Sequence, residues 1–234
     1  QNGLQSKESR KTKILTKYNK IEQNEIVKLL NCCIDFTNML LNKIFKTVYQ
    51  VAKKEKTDVY AVGGFVRDRL LGIENSKDVD FVVIGSGLEF AKAFDKEMKE
   101  EGSLVEFAEF DTARYIMEHG TRNTEQKIEL EFAGARSEAY EKGSRKPKVK
   151  KTSLEEDLKR RDFTINAMAQ QVMANGLSKK VIDPFSGEKD LKNKILRTPL
   201  DPDTTFSEDP LRMLRAARFA SQLGFMIEVN TYEA

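Results

Sequence analysis

The sequence predicts an α/β (α+β) fold in which a small mixed sheet gives way, near residue 190, to an all-helical segment. Three observations carry that expectation. Short β-branched runs lie between residues 59 and 132, each closed by a glycine cluster or turn. Amphipathic stretches of helical period alternate with them, and the strongest such stretch, Ser207 to Leu223, sits near the C-terminal end.

Taken in order, Gln1 to Lys20 is rich in Lys, Gln, Asn and Ser, and residues 1–40 read as a poorly defined N-terminal extension. From Leu40 to Lys54, Leu40, Leu41, Ile44, Phe45, Val48 and Val51 recur at helical spacing. Val59–Val62 fits a strand ended by Gly63-Gly64, and Phe65 to Leu71 a short helix stopped by Gly72. Asp78 to Ile84 is a β-branched strand closed by Gly85-Ser86-Gly87, and Leu88 to Glu101 an amphipathic helix. Strands follow at Leu104–Phe107, Ala113–Met117 and Lys127–Phe132, with His119, the single histidine, in a hairpin turn where no catalytic role is expected. Residues 142–152 form a basic, breaker-rich loop whose Arg145–Lys151 stretch offers phosphate contacts to RNA. Leu154 to Met168 reads as a helix, and Gln170–Met173 and Val181–Ile182 as extended. One domain is therefore expected over 41–185 and a helical one over 186–234.

Composition narrows the class. With 234 residues, 39% hydrophobic and 33% charged, the chain can bury a core without staples and keep a heavily solvated surface. A net charge of +3 does not announce a nucleic-acid binder, so local clusters must carry that argument. The two cysteines, Cys32 and Cys33, are adjacent, which disfavours a disulfide and offers no metal-ligand spacing. No apolar run reaches the ~18 residues that span a bilayer, and no signal-peptide core is seen, so no membrane association and a cytoplasmic setting are expected.

The most informative chemistry is Asp78-Val79-Asp80. Side chains two apart on a strand share a face, so the two carboxylates project together and repel unless a hard cation such as Mg2+ neutralises them. Asp-x-Asp alone is more often a strand end, and Gly-Gly alone more often a turn. Gly63-Gly64 placed upstream of the pair, with Arg67 following, reads as a triphosphate site, because glycines admit a phosphate close to the backbone and Arg67 adds donors. A third carboxylate is wanted for two-metal displacement. Glu129 and Glu131 lie on one face of the predicted strand Lys127–Phe132, and the residues alone do not choose between them.

Four motifs then occur in order: Gly63-Gly64-Phe65-Val66-Arg67-Asp68 with Asp78-Val79-Asp80; Arg160-Arg161-Asp162-Phe163-Thr164-Ile165-Asn166-Ala167; Asp183-Pro184-Phe185-Ser186-Gly187 with Asp190-Leu191; and Glu208-Asp209-Pro210-Leu211-Arg212. Together, over roughly residues 42–225, they resemble the class II tRNA nucleotidyltransferase and bacterial poly(A) polymerase family. The resemblance implies a polymerase-β-like nucleotidyltransferase head over 41–185 and a helical neck over 186–234. It implies Asp78, Asp80 and Glu131 as catalytic carboxylates holding two Mg2+ ions, Glu131 being preferred through its placement before Arg136. Gly63, Gly64, Arg67, Arg161, Asp162 and Asn166 become nucleotide-binding residues, the segment from Arg160 to Asn166 contacting ribose and phosphates.

The stretch from Ser207 carries its own logic. Ser207 is expected to cap a helix with Pro210 in its first turn, and Leu211, Leu214, Ala217 and Phe219 to form its core-facing stripe. Asp209 and Arg212 lie three apart, and Glu208 and Arg212 four apart, so the three groups can meet. A carboxylate acceptor beside guanidinium donors matches cytosine and adenine, which both offer an exocyclic amine next to a ring-nitrogen acceptor; guanine and uracil present the opposite order. The resemblance assigns base selection to Asp209 and Arg212, with Glu208 in support; Arg215 and Arg218 offer phosphate or RNA contacts.

The resulting expectation is template-independent transfer of CMP and AMP from CTP and ATP to the 3′ end of tRNA, with pyrophosphate released and no obligatory protein partner implied. A poly(A) polymerase, an A-only or CC-only enzyme, and a silent nucleotide- or RNA-binding remnant share the same motifs. The family continues with helical body and tail domains beyond the position of Ala234, so a head-and-neck portion is expected here.

Overall fold

The computed structural model describes residues 37–73, 77–119, 126–139 and 148–234. The readings of Gln1–Lys20, of Cys32 and Cys33, and of the loop over 142–147 lie outside the described residues. Residues 44–234 form one compact unit, and it carries the sheet.

Helix α1 covers residues 37–55 and, from Ile44 onward, buries Ile44, Phe45, Val48 and Val51 at the spacing the sequence predicts. Then come β1 (Val59–Val62), α2 (Gly64–Leu70), β2 (Asp78–Val83), α3 (Gly87–Glu97), β3 (Ser103–Phe107), β4 (Thr112–His119) and β5 (Gln126–Gly134). A hairpin of β6 (Arg136–Ala139) and β7 (Lys148–Lys151) follows, then α4 (Leu154–Lys159), β8 (Ala169–Met173) and β9 (Gly176–Leu177). Seven strands form one sheet in the order β3-β4-β5-β2-β1-β8-β9. Within this sheet β2 and β5 pair in parallel, and β1–β2, β1–β8, β3–β4, β4–β5 and β8–β9 are antiparallel. This is a mixed α/β head.

Both faces of the sheet are used. On one, Phe81 stacks on Phe132 with ring centroids 5.0 Å apart, Phe45 meets Phe81 edge-on at 5.9 Å, and Phe94 of α3 meets Tyr115 edge-on at 5.2 Å. On the other, β2 presents Asp78, Asp80 and Val82 in turn. Val82 is buried in an apolar cluster with Val62, Leu158, Ala167 and Ala169, so that face changes from core to carboxylate within two residues.

The remaining chain holds α5 (Gly187–Asn193), β10 (Ile195–Leu196), α6 (Pro202–Glu208), α7 (Leu211–Leu223), β11 (Met226–Ile227) and α8 (Val229–Glu233). It is helical apart from the short parallel pairing of β10 with β11.

Five local expectations are corrected. The helix predicted over Leu154–Met168 ends at Lys159, because Asp162 Oδ1 accepts from the Phe163 amide at 2.8 Å and that local bond competes with the helical ladder; a 3-10 turn at Thr164–Asn166 and then β8 follow. Ser207 caps no helix. It lies near the end of α6, its hydroxyl bonded back to Asp203 O, and Pro210 forces Asp209 into extended backbone (φ −144°, ψ 96°) between α6 and α7. The buried face of α7 is Arg212, Ala216 and Phe219, whereas Leu211 and Leu214 are exposed; polar anchors rather than the apolar stripe set its orientation. Residues 148–151, expected within a loop, form β7, and His119 is the last residue of β4 rather than part of a turn.

Candidate active site

The parallel pairing of β2 with β5 puts Asp78 beside Glu129 and Asp80 beside Glu131, and β4 sets Arg114 on the far side of Glu131. β5 is therefore an interior strand, not an edge. Glu131 and Asp80 both line a cavity of about 440 Å3. Glu129 is bound instead to Lys127 Nζ at 2.6 Å, and that ammonium holds its carboxyl below the usual carboxylate range. Asp80 is open to the cavity yet crowded by protein. The loss of water raises its carboxyl above the usual range; Arg161 opposes this, Glu131 and Asp78 add to it, and Arg114 opposes it more weakly.

Three carboxylates on one face of the paired strands β2 and β5, crowding Asp80, are hard oxygen donors of the kind a divalent cation takes. Among the described residues no three acidic, His or Cys side chains already stand at caging distance, and Glu131 Oε2 is engaged by Arg114 Nη2 at 3.3 Å. The residues fit a hard cation by chemistry and face.

The opposite wall comes from the chain between α4 and β8. Asp162, only 7% exposed, accepts from Asn166 Nδ2 at 3.0 Å, and Asn166 Oδ1 accepts from Arg67 Nη1 at 2.8 Å. The i, i+4 relation expected of a helix is thus realised across a 3-10 turn. Arg67 also binds Asp68 and lies over the Phe219 ring at 5.2 Å, so it buttresses the wall and does not line the cavity. Gly63 has φ +71°, and a Cβ there would stand 3.0 Å from Arg161 Nη1 and 3.3 Å from Asp80 Oδ2; Gly64 faces Arg67 instead. The third wall is α7. Arg212, 7% exposed, donates to Arg160 O at 2.8 Å and to Thr205 O at 3.4 Å, with Glu208 at 3.8 Å. Asp209 accepts the Leu211 amide at 3.1 Å and lines the cavity with Arg212. Arg215 also lines it and pairs with Asp162, while Arg218 lies over Phe219 at 4.9 Å, away from the cavity lining.

Residues 59–197 match the model of the poly A polymerase head domain. The chain belongs to that family. An A-adding tRNA nucleotidyltransferase of Aquifex aeolicus is 46% identical over 172 residues, and one of Geobacter sulfurreducens 36% over 212, covering 74% and 90% of this chain. The chain spans 19% and 22% of those relatives' own lengths. A solved apo CCA-adding enzyme superposes with a TM-score of 0.67 at 37% identity, over 83% of this chain and 43% of the other. A tRNA nucleotidyltransferase complexed with a primer tRNA and an incoming ATP analogue gives 0.62 at 40% identity, over 80% and 48%.

Within this family head, one cavity collects Asp80, Glu131, Arg161, Asp162, Asn166, Asp209, Arg212 and Arg215; Asp78, Gly63, Gly64, Arg67, Glu208 and Arg218 stand outside its lining. Sequence reasoning passed over Asp157, fully buried and bound to both Arg160 and Arg161. Its i, i+3 and i, i+4 spacing to two arginines was the available signal. Asp190 was quoted only as a motif letter; it accepts from Thr164 Oγ1 at 2.8 Å and Arg197 Nε at 3.2 Å. Phe219, around which three guanidiniums gather, gave no sequence signal beyond an apolar position.

Proposed function

We propose that this chain carries the nucleotidyl-transfer and base-selecting parts of a tRNA 3′-end nucleotidyltransferase, moving CMP and AMP from CTP and ATP onto the RNA 3′-hydroxyl. The observation that carries the reading is that one cavity is walled by a carboxylate pair on adjacent strands, an arginine–aspartate–asparagine wall, and the Asp209/Arg212 pair. In the reaction the tRNA 3′-hydroxyl attacks the α-phosphate of the incoming nucleotide and pyrophosphate leaves. Asp78, Asp80 and Glu131 would hold Mg2+, which supplies charge neutralisation for the phosphoryl oxygens when bound. Arg161 faces the same space and offers guanidinium donors to phosphate. Asp162 and Asn166 place an acceptor and an amide where ribose hydroxyls can be gripped; Asn166 orients Arg67 behind them, and Asp162 holds Arg215 at the cavity wall. Asp209 accepts an exocyclic amine, and Arg212, whose partners leave N–H groups over, donates to the adjacent ring nitrogen. A tRNA 3′ end in the cytoplasm completes the proposal.

A second reading, addition of A alone, is favoured by the A-adding names of the Aquifex and Geobacter relatives. The deciding experiment offers each of the four labelled nucleoside triphosphates, with Mg2+, to tRNA ending before CCA, after C and after CC. C on the first two substrates and A on the third supports CCA addition. A on the third alone supports the A-adding reading, and incorporation of G or U on any of them defeats the base-selection scheme.

A further inference from the structure

The Arg160-Arg161 pair is oriented by a residue that no motif above includes. Asp157 lies in the first turn of α4, whose N-cap is Ser153, and is 0% exposed. Its Oδ1 accepts from Arg160 Nη2 at 2.7 Å and Nε at 3.2 Å, and its Oδ2 from Arg161 Nη2 at 3.2 Å. Each oxygen thus serves a different arginine. Burial by itself would raise this carboxyl, but Arg161 and Arg160 overturn that and hold it below its usual range, so it stays an anion.

Both arginines lead into the cavity by different routes. Arg161 stands against the position a Gly63 side chain would fill, beside Asp80. Arg160 presents its carbonyl to Arg212 Nη2 at 2.8 Å. A guanidinium on a long stem has many rotamers, and a fork that is held beforehand loses less entropy when it engages phosphate. A buried anion whose two oxygens are divided between two forks fixes both.

We propose that Asp157 is a positioning residue of the nucleotide site. It acts through Arg161, which it holds toward the triphosphate beside Asp80, and it braces the Arg160 main chain on which Arg212 rests. It touches no substrate. The inference rests on the nucleotide reading above and adds to it a named residue and a direction of action.

The test is a double-mutant cycle on CTP affinity, measured by calorimetry on the full chain in Mg2+ buffer, with wild type, Asp157→Asn, Arg161→Gln and the double variant, each checked for folding by thermal melting. Asp157→Asn and Arg161→Gln should each weaken CTP binding by about tenfold, a buried charge-assisted contact's scale, and the double variant should lose well under the roughly 100-fold product, because the part of the Asp157 effect that runs through Arg161 is lost only once. A merely structural Asp157 would lower the melting temperature and leave that coupling at zero. If Asp157→Asn binds CTP as wild type does, or if the two losses multiply in the double variant, the proposal is overturned. Should Asp157→Asn unfold, Asp157→Glu, which keeps the charge but shifts it by one methylene, reads the same coupling to Arg161. A wild type that binds no nucleoside triphosphate would sink the nucleotide reading itself and this inference with it, an outcome visible before any variant is made.

Discussion

Arg215 of α7 reaches back to Asp162, with Nε 2.7 Å and Nη2 2.5 Å from the same carboxylate oxygen, Oδ2. The other oxygen of Asp162 is taken by the Phe163 amide and Asn166. One buried aspartate therefore ends the approach of α4, carries the Asn166–Arg67 link, and docks the helix that bears Arg212. The buried side chains of helix α7 are Arg212, Ala216 and Phe219, so this ion pair is a main fixture of its orientation.

Asp162→Ala should consequently loosen α7 as well as the Asn166–Arg67 wall. Removing one partner of a buried, hydrogen-bonded pair typically costs ~3–5 kcal/mol, and the half-exposed Arg215 brings the expectation down to about 2–3 kcal/mol. Urea unfolding of the variant measures it. A loss below about 0.5 kcal/mol, the size of an ordinary surface substitution, would show that the pair does not hold the helix.

Asp80 should act in the opposite sense on stability. Its folded-state carboxyl sits above its unfolded value, chiefly through burial, so on raising the pH the unfolded chain releases this proton first. Its contribution is then neutral at strongly acid pH, turns unfavourable as pH climbs past the ordinary carboxylate range, and is fully unfavourable above the raised value. In metal-free protein near neutral pH, Asp80→Asn is expected to raise the melting temperature, and the gain should vanish toward acid. The same variant should lose more than about 100-fold in nucleotide incorporation, as when a group stabilising transition-state charge is removed. Melting the variant and wild type in a chelator across pH checks the first half. A variant no more stable than wild type near neutrality would refute the burial penalty.

Some of this site was legible in the residues and some was not, for separable reasons. Asp78 and Asp80 share a face because strand period is local, and β2 was bounded by glycine on its far side. Glu129 and Glu131 share a face by period two, so only the resemblance preferred Glu131; the non-local register of β2 on β5 sets Glu129 beside Asp78 and Glu131 beside Asp80, and of the two Glu131 lines the cavity. Asp162 and Asn166 were paired correctly for a reason that does not hold, since a 3-10 turn and not a helix brings them together. The helix start at Ser207 failed because Pro210 sits where a continuous helix would need the preceding residue in helical backbone. The stripe on α7 held at Phe219 and failed at Leu211, Leu214 and Ala217, because hydrophobic spacing predicts which face could be buried, whereas the anchoring of Arg212 and Arg215 decides which face is.

Gly63→Ala tests the close approach beneath the cavity. The backbone there has φ +71°, which an L side chain rarely adopts, and the new methyl would meet Arg161 Nη1 at 3.0 Å. Backbone strain of this kind costs ~1–3 kcal/mol, and a displaced Arg161 should weaken nucleotide binding in addition. Melting temperature and CTP affinity should fall together. If affinity is kept while stability drops, Arg161 is not held by this contact.

Base choice is the most direct test of the α7 wall. Arg212 is fixed by Arg160 O, Thr205 O and Glu208, which leaves it rigid, and Asp209 is fixed by Pro210 and by the Leu211 amide it accepts. Rigid donors and acceptors reject a wrong base because mispaired polar groups stay buried, at about 1–3 kcal/mol per contact. Asp209→Ala removes the acceptor for the exocyclic amine, so the preference for CTP and ATP over UTP and GTP should shrink by roughly 10- to 100-fold on that scale. It also removes a helix-end bond worth about 1 kcal/mol, a loss that lowers all four nucleotides alike and is therefore separable. Arg212→Lys keeps the charge but not the fork, and should lose discrimination while the chain stays folded. Competition binding of the four triphosphates to wild type and both variants settles it: unchanged ratios would remove Asp209 and Arg212 from base recognition, whatever happened to overall affinity.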